Sequence, residues 1–229
     1  KYAGYTGQGS FNIAIGERAG QTGQTGQNAI AIGQGAGGID QGSNAIAMGQ
    51  GAGNNTQGTA AIALGQSAGQ SNQIANAIAI GQSAGNSNQG SNAVAIGHLA
   101  GQIGQNESCV ALGFNAGNSN QGSNAIALGD DAGRVNQGEF AIAIGHNAGQ
   151  TGQKTESIAI GFNAGGESQG TGSIAIGTLS GGTNLGENSI AIGKLSGPTE
   201  SNAIVLNASG TGLNPGASGF YVDPINDTT

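Results

Sequence analysis

The chain has 229 residues, 48 of them glycine and three proline, with no glycine at every third position, so a collagen helix is excluded. Charged residues make up 7% and the net charge is −7, from twelve acids scattered among five bases, which leaves no basic stripe for nucleic acid. No apolar run approaches the ~18 residues that cross a bilayer, and the single cysteine, Cys109, rules out an intrachain disulfide or a paired-thiol metal site.

The chain enters a repeat at once. Lys1-Tyr2-Ala3-Gly4 has the x-x-Ala-Gly ending of a ten-residue phrase seen in full at Asn76-Ala77-Ile78-Ala79-Ile80-Gly81-Gln82-Ser83-Ala84-Gly85. We read the start as lying inside a longer array. The glycine that closes each apolar run falls at Gly16, Gly33, Gly49, Gly65, Gly81, Gly97, Gly113, Gly129, Gly145, Gly161, Gly177 and Gly193. The first interval is 17 residues and the other ten are 16. A period held that tightly predicts one continuous stack, each unit burying a face against the next.

Ala-Ile-Ala-Ile alternates with period two, which predicts a strand of about four or five residues. Glycines at both ends of so short an apolar run exclude a helix. The invariant glycines are expected at corners with positive φ or where two backbones approach closely. The predicted fold is all-β, a parallel β-solenoid (β-roll) with one 16-residue coil per repeat. Each coil would hold a strand, a glycine corner, a polar return segment and a second corner. At ~4.8 Å per coil, twelve coils would make a rod on the order of 55–60 Å long. Eight residues after the marker glycine comes glutamine in ten of the first eleven repeats, Leu185 being the departure. Stacked amides at that spacing can hydrogen-bond to one another as a ladder.

Both faces of the strand are apolar. One carries large aliphatics; the other carries Ala14, Ala31, Ala47, Ala63, Ala79, Ala95, Ala111, Ala127, Ala143, Ala159, Ala175 and Ala191. The aliphatics are expected to fill the coil. The alanines, which would otherwise form an unbroken apolar stripe in water, are expected to face a neighbouring chain. Cys109 shares that face, so an assembly of three chains would bring its thiols together. After Gly193 the rhythm fails: Pro198 interrupts, and Asn202-Ala203-Ile204-Val205-Leu206 is followed by Asn207 instead of glycine. Residues 1–197 are therefore read as the solenoid and 198–229 as a cap or junction, since an open sheet edge invites pairing unless covered.

The phrase Asn-Ala-Ile-Ala-Ile-Gly-x-x-Ala resembles the head repeat of trimeric autotransporter adhesins, the YadA-like head, over about residues 9–197. That family's repeats are commonly a couple of residues shorter than 16. The resemblance implies a left-handed parallel β-roll, three chains wrapped about one axis, and display on a cell surface to bind host matrix or other cells. The fuller form Ala-Ile-Gly-x-x-Ala-Gly-x-x-x-Gln-Gly-x-Asn is similar to repeats in fibre proteins of large DNA viruses and phages. The ending, Asn202–Asn207 with Gly219-Phe-Tyr-Val-Asp-Pro-Ile225, resembles the stretch that precedes a self-cleaving chaperone domain in such fibres.

Candidate chemistry is sparse. His98 and His146 each follow a marker glycine three coils apart, roughly 14 Å on a straight stack, too far to share a metal. Phe114 and Phe162 follow one coil after each histidine. The four residues are either a shallow carbohydrate-stacking stripe or tolerated variation at an exposed corner. Asp130-Asp131 lacks the glycine-aspartate nonapeptide of calcium-binding rolls and reads as a solvated turn. No serine–histidine–acid or cysteine–histidine set converges, and no cofactor or metal is expected. Sequons at Asn54, Asn106, Asn207 and Asn226 read as chance at this asparagine content. The functional expectation is a non-enzymatic extracellular fibre or adhesin head on a cell or virion surface, a homotrimer contacting host cells, matrix or glycans. The alternatives are a subunit of an end-to-end extracellular filament and, more remotely, an ice-binding solenoid.

Overall fold

Residues 2–24 and 26–224 are described by a computed structural model. Lys1, Ile225 and the sequon at Asn226 lie outside the described residues. Among those residues every regular element is a strand and none is a helix. The chain is a parallel β-solenoid that divides into two compact units, residues 1–123 and 124–229.

In the first unit the apolar phrases form Ile13–Ile15, Ile30–Ile32, Ile46–Met48, Ile62–Leu64, Ile78–Ile80, Val94–Ile96 and Val110–Leu112. Each strand has only three residues, shorter than the period-two run suggests, because the marker glycine turns the chain immediately. Register follows the repeat: Ala79 sits opposite Ala63 on one side and Ala95 on the other. The polar return segments add a second parallel sheet of Ile39–Gln41, Asn55–Gln57, Ser71–Gln73, Ser87–Gln89, Ile103–Gln105 and Ser119–Gln121.

The second unit repeats the first sheet as Ile126–Leu128, Ile142–Ile144, Ile158–Ile160, Ile174–Ile176 and Ile190–Gly193. Ala203–Asn207 and Gly219–Asp223 then extend it in parallel, with Ile204 opposite Ile190 and Phe220 opposite Ile204. The irregular tail thus keeps the sheet going past Gly197. The second sheet thins here to Val135–Gln137 and single bridges through Thr151, Glu167 and Thr183.

The two faces of the first sheet lie opposite to the expectation. In the first unit Ala31, Ala47, Ala63, Ala79, Ala95 and Ala111 are 0% exposed; so are Ala127, Ala143, Ala159, Ala175 and Ala191 in the second, and Cys109. Ala14, on the first strand, is partly buried. All this burial is within one chain, so the alanine face fills the coil's own interior and is not presented on the surface. The large aliphatics point outward: Ile15 is 58% exposed, Met48 42% and Leu112 46%. The reason is the width of the coil. A Cβ placed on Gly85 would lie 3.1 Å from the Ala79 Cβ and 2.6 Å from Gln89 Oε1, so the interior has no room for an isoleucine. The Cys109 thiol points inward too, 2.8 Å from the Gly122 carbonyl oxygen.

The other interior wall is the glutamine column, and the expected ladder is there. Gln89 Nε2 donates to Gln105 Oε1 at 3.1 Å and to the Ile78 carbonyl at 2.8 Å, while Gln73 Nε2 donates to Gln89 Oε1 at 3.1 Å. A buried amide is tolerable only when its polar atoms find such partners. Two glycine columns follow from this core. Gly81 has φ +125° and its missing Cβ would meet the Gly97 carbonyl oxygen at 2.6 Å; Gly85 has φ +51° and faces Gln89. Both meet the expectation of positive φ, and Gly81 meets that of close backbone approach as well. Asparagine takes further left-handed corners, as at Asn76 and Asn92, because its short polar side chain tolerates that region.

Candidate ligand-contact corners

The residue after each marker glycine stands at a corner where the first sheet ends. His98 follows the strand Val94–Ile96 and Gly97, and Phe114 follows Val110–Leu112 and Gly113. In the second unit His146 and Phe162 hold the same place after Ile142–Ile144 and Ile158–Ile160. The corner backbone is stitched between coils: Asn115 N–H donates to the His98 carbonyl at 3.0 Å, and Asn163 N–H to the His146 carbonyl at 3.0 Å. That bond holds each ring one coil from the next.

The structure brings each histidine together with the phenylalanine one coil later. Ring centroids are 5.4 Å apart for His98 and Phe114, tilted by 39°, and 5.4 Å apart for His146 and Phe162, nearly parallel at 7°. Both phenylalanines are about half exposed, 47% and 48%. Asp130 joins the second pair, its Oδ2 3.8 Å from His146 Nε2. Asp131 instead approaches Arg134, 3.8 Å from Oδ1 to Nε. The acidic pair therefore splits, one carboxylate toward the ring stripe and one toward a base, which the spacing of adjacent residues did not reveal.

A shallow groove of about 420 Å³ lies beside Asn163 in the second unit, lined by Gln150, Glu167, Leu179, Thr183 and Leu195 among others. Sequence reading missed it. Its signal in the sequence is the pair Leu179 and Leu195, apolar residues two places after a marker glycine, where most coils carry a polar one. Among the described residues no three His, Cys, Asp or Glu side chains gather closely enough to hold a metal ion. No helix among them is long and apolar enough to cross a membrane.

The geometry is thus that of a repeat scaffold presenting variable corners on a backbone committed to stacking. No curated protein matches the chain. The family description "YadA head domain repeat" does match, in two copies, at residues 25–36. Those residues span the strand Ile30–Ile32 and the corner after it, the part of the coil where the marker glycine and the buried alanines Ala31 and Ala36 lie. The chain carries YadA-like head repeats.

Proposed function

We propose that the chain forms the body of a non-enzymatic adhesive fibre displayed outside a cell or virion, assembled from three parallel copies that meet through their isoleucine columns. The observation that carries this is the outward face of the first sheet. Two rows of Ile, Leu, Val and Met run along each unit and stay partly exposed, while the interior is already full of alanine and glutamine. Continuous apolar surface of that kind marks an interface. The head-repeat match and the resemblance to trimeric adhesins support three copies. Host-surface contact falls to the corner residues and loops, because the other columns are committed to the core, to backbone stacking or to the proposed interface. Residues 198–229 would terminate the array or join it to a further segment of the fibre.

Light scattering tests the assembly. The purified chain is expected at three times its 21.9 kDa mass. Ile142→Arg should give a folded monomer, since it places charge in the interface without touching the coil. Ala143→Arg should unfold the coil, because an unpaired charge would enter a space lined by methyl groups. A monomeric wild type at micromolar concentration, or an Ile142→Arg variant that assembles as wild type does, would refute the interface. Indefinite filaments in electron micrographs would favour end-to-end assembly instead.

A further inference from the structure

We infer that the two His–Phe corners are duplicate carbohydrate-stacking sites, one on each unit, built to take a neutral sugar chain. This rests on the adhesive reading above and names the ligand class for it. The first observation is a longer period hidden in the repeat. Gly97-His98-x-Ala100-Gly101-Gln102-x-Gly104-Gln105 recurs 48 residues later as Gly145-His146-x-Ala148-Gly149-Gln150-x-Gly152-Gln153. Gly113-Phe114-Asn115-Ala116-Gly117 recurs as Gly161-Phe162-Asn163-Ala164-Gly165 at the same offset. The other corners of this column, such as Gln66 and Lys194, carry no ring. Drift at an exposed corner does not predict the same ordered pair twice.

The second observation is that both copies hold their rings at the same spacing, tilted by 39° in the first and nearly parallel at 7° in the second. The centroid separation is 5.4 Å in each, and Asn115 and Asn163 share a φ of 51° just after the phenylalanine. The tilt of the first pair keeps its rings from stacking face to face, and the nearly parallel rings of the second, so far apart, cannot overlap fully. With carbon–carbon contact at ~3.5 Å the latter slide past one another by roughly 4 Å, which leaves part of a ring face open to solvent. An open ring face, negative at its centre, suits the slightly positive C–H face of a pyranose.

The third observation separates a sugar from a cation, the other ligand that favours an aromatic face. One coil before His146 stands Asp130, and one coil before His98 stands Gln82. The two copies share an oxygen acceptor in that position and do not share a negative charge. A hydroxyl group can donate to either oxygen, whereas a cation gains much more from the carboxylate than from the neutral amide. Such exposed sites bind weakly one at a time, and two per chain in a multi-chain fibre supply the gain through multivalency.

The test is an array of neutral, sialylated and sulfated oligosaccharides probed with wild type, F114A, F162A and the double variant, with tetramethylammonium chloride as competitor. The rings are half exposed, so equal melting temperatures will verify that the variants fold. Neutral glycans should be retained by wild type, more weakly by each single variant, and about tenfold less or worse by the double variant. Undiminished binding by the double variant, retention of charged glycans alone, or displacement by tetramethylammonium would each overturn the assignment. Attachment to cultured cells separates this site from the adhesive reading. Equal attachment by wild type and double variant would overturn the site and leave adhesion standing. Loss of neutral-glycan retention in the double variant, with no attachment to cells by wild type, would uphold the site and count against adhesion.

Discussion

Replacing Gln89 with methionine asks how much the buried amide ladder contributes. Methionine is close to glutamine in size and shape, so the change removes hydrogen bonds while leaving little cavity. Gln89 Nε2 serves the Ile78 carbonyl at 2.8 Å, the Ala93 carbonyl at 3.3 Å and Gln105 Oε1 at 3.1 Å. In the variant Gln105 Oε1 loses that donor while Gln105 itself is 0% exposed. Gln73 Nε2 is less affected, since it keeps the Ile62 and Ala77 carbonyls. An orphaned buried acceptor costs about 1–3 kcal/mol, and the lost bonds to carbonyls add about 1 kcal/mol more. The expected loss is therefore about 2–4 kcal/mol, or about 4–16 °C in melting temperature for a chain of this length. The control is Gln82→Met on the exposed corner, expected within ~0.5 kcal/mol of wild type. Leu185 shows how the array tolerates an apolar residue in this column. There Ser180 Oγ donates to the Ala191 carbonyl at 2.7 Å and meets Ser196 Oγ at 2.9 Å, both serines replacing alanines of the usual phrase. Thermal melts followed by circular dichroism at one fixed protein concentration give the answer. If Gln89→Met melts within ~2 °C of Gln82→Met, the ladder is not a stabilising element and the reasoning fails.

The two glycine columns should differ in severity. Gly81→Ala drives a methyl group into the rigid Gly97 backbone, 2.6 Å away, and should prevent stacking at that coil, whereas Gly85→Ala meets the movable end of Gln89 and should cost on the order of 2 kcal/mol. Solubility and melting temperature of the two variants will show the order, and a Gly81→Ala protein as stable as Gly85→Ala would contradict it. Cys109 is 0% exposed with its thiol turned into the coil. It should react with a thiol reagent only after denaturation and form no disulfide between chains on oxidation; rapid labelling of the native protein would place it on the surface after all.

The sequence alone carried the fold class because the evidence for it is periodic. An alternation of two residues, a marker glycine every 16, and a glutamine column each restrict the backbone locally, and stacking identical coils leaves little choice about register. It also placed His98, Phe114, His146 and Phe162 on one column of corners. What it could not decide was which way the strand faces. A strand with isoleucine on one side and alanine on the other is apolar on both, and the usual reasoning puts the larger side chain inside. Only the tertiary structure shows that the opposite wall is a row of glutamines bonded to strand carbonyls, which leaves space for methyl groups and sends the isoleucines outward. The second sheet was hidden for the same reason, since Ser-Asn-Gln reads as a polar turn until its glutamine is seen to point into the coil. Ring pairing between coils likewise depends on side-chain rotation about a fixed corner. A repeat therefore states its backbone in sequence, while its inside and outside are settled by the width of the closed coil.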